Sequence, residues 1–138
     1  MEEEPLNIVL FSGTEDRLQA CAVMTAGAAA LGKKVNIFLQ YWGLDAFRKE
    51  RLDAPLGLAP EAGERGAALV AAAAKAGQAQ WHVTLSAARD IGEVDIQACS
   101  LSMDVLRIDE SELSDLVDGV QGVTAFYLNA GNGHILFI

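Results

Sequence analysis

The chain has 138 residues, the size of one domain. Nineteen Asp and Glu against ten Lys and Arg give a formal charge of −9, which argues against a partner recognised through a phosphate backbone. Hydrophobic residues make up 51% and charged residues 21%, enough to bury a core and too apolar for a disordered acidic tail.

Leu6 to Phe11 is a short apolar run that ends at Ser12-Gly13-Thr14 and reads as a strand buried on both faces, the pattern of a parallel sheet. Asp16 to Gly32 follows with apolar or small residues at Leu18, Cys21, Ala22, Thr25 and Ala29, which is helical spacing closed by a glycine. Lys34 to Leu39 is a second strand, so the first 39 residues form a right-handed βαβ unit. Tyr41-Trp42-Gly43 ends that strand, and Leu44 to Arg51 is expected to be a short helix. Pro55, Pro60 and two glycines mark Asp53 to Gly63 as a loop. Glu64 to Ala76 and Trp81 to Ile91 are expected to be helices, each followed by glycine, with a strand over Trp81–Leu85 as the competing assignment for the second. Val94 to Ala98 is a strand that runs into Cys99, followed by helices over Leu101–Leu106 and Asp109–Leu116. Val117 to Val120 is a brief strand, Val123 to Ala130 is helical or extended, and His134 to Ile138 is a closing strand. The expected fold is a single α/β domain over residues 1–138, with a mostly parallel sheet of about five strands flanked by helices.

Neither Ala26–Leu31 nor Ala67–Ala74 approaches the roughly 18–20 apolar residues of a membrane span, and the acidic start is no signal peptide. The expectation is a soluble, cytoplasmic protein whose two cysteines stay reduced. Cys21 and Cys99 have no CxxC or histidine cluster around them, so neither a disulfide framework nor a metal site is expected.

Chemistry concentrates at Cys99, where a strand stops and a helix starts. Open α/β sheets place their ligands at that edge. A helix beginning at Leu101 would turn unpaired N–H groups toward the sulfur and favour its thiolate, with Ser100 and Ser102 adding hydroxyl donors. Buried space-filling is the competing role, because free cysteine packs as a small hydrophobe. Cys21 lies on the helix face that covers the sheet and reads as core. Ser12 and Gly13 precede a helix in the manner of an anion pocket, although neither a P-loop nor a dinucleotide fingerprint is present. Trp42, at the same edge, either walls a pocket or fills a subunit contact. His82 and His134 have no partner at useful spacing, and the acidic stretch from Asp109 to Asp118 reads as a solvated helix face.

The segment Ala98-Cys99-Ser100-Leu101-Ser102-Met103-Asp104, continuing to Leu116-Val117-Asp118-Gly119-Val120, resembles the DsrE/DsrF-like sulfur-relay family. The nearest branch is the DsrE-like one often labelled a peroxiredoxin family protein, with an A-C-x-x-S-M-D-x-x-G-I pattern. Leu10-Phe11-Ser12-Gly13 and Phe38 to Leu44 fit the same branch. The resemblance implies a compact α/β domain, assembly as a homotrimer or hexamer, and sulfane sulfur carried as a persulfide on Cys99. It implies no metal or cofactor, and partners that are other sulfur-relay proteins or a sulfane-sulfur donor. Arg107 departs from the pattern, standing where the family has glycine or a small residue. The alternative to a carrier is a non-catalytic binding or assembly subunit of the same fold. A thiol peroxidase is disfavoured, since the Pro-x-x-x-Thr/Ser-x-x-Cys arrangement is missing before Cys99.

Overall fold

Five strands, β1 (Leu6–Leu10), β2 (Val35–Leu39), β3 (Val94–Cys99), β4 (Gly119–Gln121) and β5 (Ile135–Phe137), pair in parallel in the order β4-β3-β2-β1-β5. This computed structural model describes residues 4–138, and the acidic residues before Glu4 lie outside it. Six helices connect the strands: α1 (Glu15–Ala30), α2 (Tyr41–Ala46), α3 (Gly66–Lys75), α4 (Trp81–Ile91), α5 (Ser100–Leu106) and α6 (Val123–Ala130).

Strand alternation divides the sheet into two unlike faces. Ile8, Ile37 and Ile96 stand in one register row and Leu10, Leu39 and Ala98 in the next. These residues belong to the main core, together with Leu18 and Cys21 of α1, Trp81 and Leu85 of α4, Leu44 of α2 and Met103 of α5. The opposite face carries Asn7 and Asn36, then Val9, Phe38 and Gln97, then Cys99. Among the described residues, α6 is the one helix packed there, with the Phe126 ring stacked 5.0 Å from that of Phe38. The far end of α6 is tied down by a buried amide pair. Asn7 Nδ2 donates to the carbonyls of Ala130 and His134 at 3.2 and 3.1 Å, and Asn36 Nδ2 donates to Asn7 Oδ1 at 3.0 Å and to the Asn129 carbonyl at 3.3 Å.

The expected βαβ unit, the helix over Trp81–Ile91 and the closing strand are all present, and 123–130 resolves as helix. Four segments differ. The short helix after β2 runs Tyr41–Ala46 instead of Leu44–Arg51, so Tyr41, Trp42 and Gly43 form its first turn rather than the strand's end. Residues 109–116 form only a 3-10 turn, Glu110–Glu112. A capping box between Asp109 and Glu112 starts that turn, and the chain is then pulled straight because Leu113 bridges Arg48 and the Ser114 amide donates to the Phe47 carbonyl. Asp118 is no part of a solvated helix face. Its Oδ2 accepts from the Ile96 amide at 2.8 Å and its Oδ1 from Arg89 at 2.6 Å, which fastens β4 to β3 and α4. The helix expected from Glu64 begins at Gly66, after a 3-10 turn over Pro60–Arg65, and α3 is exposed along almost its whole length. Arg107 ends α5 with φ 55° and ψ 45°, the left-handed conformation that favours glycine. A non-glycine residue there bears roughly 1–2 kcal/mol of strain.

Cys21 has no exposed surface, and burial pushes its thiol up to about 12 from an ordinary value of 9.0. The folded chain therefore keeps this proton after the unfolded chain has released it. The contribution is complete below pH 9 and declines from there toward pH 12. Thermal melts at stepped alkaline pH are expected to show a steeper loss for the native chain than for Cys21→Ala over that interval.

Candidate functional site

The carboxyl ends of β1 and β2 are held together by close backbone contact. The Gly43 amide donates to the Phe11 carbonyl at 2.8 Å and the Gln40 amide to the Leu10 carbonyl at 3.0 Å. Neither glycine has room for a side chain. A Cβ on Gly13 would lie 2.3 Å from the Trp42 carbonyl oxygen, and one on Gly43 would lie 2.1 Å from that of Leu10. Tyr41, with φ 45°, makes the sharp turn from β2 into α2. Such strain persists only where the surroundings over-determine it.

This approach frames a cleft of about 320 Å³ whose lining includes Ser12, Gly13, Arg17, Trp42, Asp45 and Arg51. Ser12 Oγ and Thr14 Oγ1 lie 3.2 Å apart, and Arg17 Nη1 reaches Ser12 Oγ at 3.4 Å. Asp16, at the start of α1, accepts from the Ala59 and Arg17 amides at 3.1 Å each. Burial pushes its carboxyl up, but hydrogen bonds from Thr14, Ala59 and Arg17 outweigh that and hold it below the usual value. Asp45 Oδ1 accepts from Arg48 at 2.9 Å, and this bond raises the guanidinium pKa against the opposing effect of burial.

Cys99 stands apart from the cleft. It ends β3 and precedes the first residue of α5, as the sequence implied, but pleat parity turns its side chain to the α6 face. There it packs with Phe38, Phe126 and Val9 and is only 4% exposed. Among the described residues, its sulfur makes no side-chain cap bond to α5. Of the flanking residues, Ser100 and Leu101 are exposed, whereas Ser102 is fully buried and its Oγ has no partner among the described residues. The expected site residues thus separate into Ser12, Gly13 and Trp42 around the cleft and Cys99 with Ser100, Leu101 and Ser102 at the β3–α5 junction. Sequence reasoning missed Arg17, Asp45 and Arg51 as cleft residues, and Phe126 as the cover of Cys99. Arg17 was within reach of it, three residues past Thr14 in the first turn of α1, but Arg51 arrives through a loop with no local pattern.

Comparison with known proteins supplies the family. Residues 2–58 match the DsrE/DsrF/DrsH-like family, a span that includes every cleft residue named above and stops short of Cys99. The uncharacterized protein YrkE of Bacillus subtilis (strain 168) is 31% identical over 153 aligned residues, covering 95% of this chain and 94% of that protein. The chain belongs to the DsrE/DsrF/DrsH-like family. The fold of this DsrE-like chain also resembles the solved structure of a protein of unknown function, MTH1491, from Methanobacterium thermoautotrophicum. The TM-score is 0.60 at 11% identity, over 99% of this chain and 100% of that one. No helix among the described residues of the DsrE-like domain is long and apolar enough to cross a membrane.

The glycine contacts are tests of the cleft's construction. Gly13→Ala must displace the Trp42 backbone, so chemical denaturation is expected to show a loss of about 1–3 kcal/mol, typical of overpacking.

Proposed function

We propose that this chain is a sulfur carrier of a cytoplasmic relay and that Cys99 holds the sulfur as a persulfide. The reading rests on the family and on one observation: Cys99 is the residue at which β3 gives way to α5, at the ligand-bearing edge of a parallel sheet. The other thiol is a poor candidate, being wholly buried with its pKa pushed up to about 12. In loading, the Cys99 thiol first gives its proton to solvent, and the thiolate attacks the outer sulfur of a donor persulfide, R–S–S⁻. A bond forms between Sγ and that sulfur as the donor S–S bond breaks, and R–S⁻ leaves. Unloading is the same exchange in reverse onto an acceptor thiol, and no metal or cofactor takes part.

The cover over Cys99 sets a condition on this chemistry. Phe126 of α6 closes the thiol off, while the Asn7 and Asn36 amides hold α6 at its opposite end. Access therefore comes from lifting the first turn of α6, next to Gly122, with the amide anchor kept. The second reading, an inert assembly subunit, is favoured by the 4% exposure and the absence of a cap bond to the sulfur among the described residues.

Assembly is part of the proposal. Residues 119–138 contain no Asp, Glu, Lys or Arg in a chain of charge −9, yet Val123, Tyr127, Leu128, Ile135 and Phe137 are exposed there. A surface free of charge is where copies of so acidic a chain meet with least repulsion, and a clustered apolar surface marks a contact. The reading is a homotrimer or hexamer joined through α6 and β5, with relay partners or the sulfane donor approaching the same edge.

Two measurements test these statements. Intact-mass analysis after exposure to a sulfane donor is expected to show a gain of one sulfur atom, retained in Cys21→Ser and lost in Cys99→Ser. Phe126→Ala is expected to raise the alkylation rate of Cys99 at least about tenfold by removing its cover. A chain that never loads, whose Cys99 alkylates no faster than Cys21 even in Phe126→Ala, is the inert subunit. In sedimentation, the native chain is expected as a trimer or larger, and the double variant Leu128→Asp, Phe137→Asp as a monomer; a monomeric native chain overturns the assembly reading.

A further inference from the structure

We propose that the cleft between the Ser12–Thr14 turn and α2 binds a small tetrahedral oxoanion, held by Arg17 and Arg51. The cleft opens at the carboxyl ends of two parallel strands, on the side lined by α1 and α2, and is separate from Cys99. Its lining brings together two guanidinium groups, Arg17 and Arg51, and one carboxylate, Asp45, while Glu61 reaches Arg17 from outside the lining.

Neither arginine is fully committed to a protein partner. The Nε of Arg51 is shielded from solvent and has no hydrogen-bond acceptor among the described residues. Its nearest carboxylate oxygen, Asp45 Oδ2, is 3.6 Å away, beyond hydrogen-bond distance. Asp45 does not close that gap because its other oxygen is taken at 2.9 Å by Arg48. Arg17 pairs with Glu61 at 3.2 Å, but that carboxylate is 70% exposed, so the pair contributes little and exchanges readily for a ligand. The two arginines differ in what they offer: Arg17 brings its Nη groups past Ser12, and Arg51 brings the exposed part of a side chain that is 40% open to solvent, its Nε being closed off. The hydroxyls of Ser12 and Thr14 share one hydrogen bond and the Thr14 hydroxyl also serves Asp16, so both hydroxyl hydrogens are used within the turn and the arginines are left as the donors to a ligand. Two guanidinium groups facing one cleft suit the several acceptor oxygens of a phosphate or a sulfur oxyanion.

The chain carries its own reporter for this site. Of its two tryptophans, Trp42 lines the cleft and is 58% exposed, whereas Trp81 is 2% exposed in the main core. The experiment titrates the full-length, 15N-labelled protein with sodium phosphate and separately with sodium thiosulfate, against sodium chloride at equal ionic strength. The expected result is a saturable shift of the Trp42 indole N–H and the Ser12–Thr14 amides, half-complete below about 10 mM, with the Trp81 indole unmoved. Arg17→Gln and Arg51→Gln are each expected to weaken binding about tenfold. Tighter thiosulfate identifies a sulfur oxyanion as the ligand and tighter phosphate a phosphate group; both outcomes support the oxoanion site. Shifts no larger than those in chloride, or shifts that survive Arg17→Gln, overturn it. Arg17 has 41% of its side chain exposed, so its replacement spares the core and decides the question even where Arg51→Gln fails to fold. The titration does not read persulfide loading, so its failure leaves the sulfur-carrier reading untouched.

Discussion

The pleat of β3 governs where this protein's chemistry can sit. Ile96 and Ala98 point into the layer formed with α1 and α4, so Cys99, one residue further, must point the other way. With a side-chain period of two, parity alone decides the matter, and a single-residue slip would bring the thiol to the opposite face. That opposite face is thinly built. An eight-residue helix covers it, anchored by buried amides at one end and by the Phe126–Phe38 stack near the other. The thiol is consequently enclosed by hydrocarbon, yet only one short element lies between it and solvent.

The cleft depends on a different constraint, the approach of two backbones at the sheet's edge. Gly13 and Gly43 let the β1 exit and α2 come within hydrogen-bond distance, and Tyr41 accepts an unfavourable φ so that α2 can begin at once. These contacts fix Trp42 and the Ser12–Thr14 turn in place, while Asp16 ties the start of α1 to the loop at Ala59. The domain thus presents two distinct chemical settings at its carboxyl edge. One is polar and open beside α1 and α2, and the other is apolar and closed beneath α6.

How much of this was legible in the sequence follows from the range of the interactions concerned. The β1–α1–β2 unit, α4 and β3 were readable because apolar spacing and glycine stops are local signals. The helix expected at 109–116 fails because Ser114 and Leu113 pair with Phe47 and Arg48, far earlier in the chain, and such pairing outweighs local helix preference. The position of Cys99 at a strand end was readable. The alternation of Val94, Ile96 and Ala98 with Asp95 and Gln97 also carries its direction, but the apolar cover from Phe126 was not readable because that residue lies in a distant helix. Arg51 was invisible for a related reason, reaching the cleft through an irregular segment. The glycine preference noted for position 107 was legible as a departure, and its cause emerged as the left-handed end of α5.

The edge position of β5 has an implication for how the chain behaves when it is alone. That strand hydrogen-bonds to β1 on one side, and its three residues include neither lysine nor proline, the usual guards of an open border. Nothing in its own side chains discourages a stranger from extending the sheet. What limits illegitimate joining is the brevity of the strand, since three residues offer an incoming chain few hydrogen bonds.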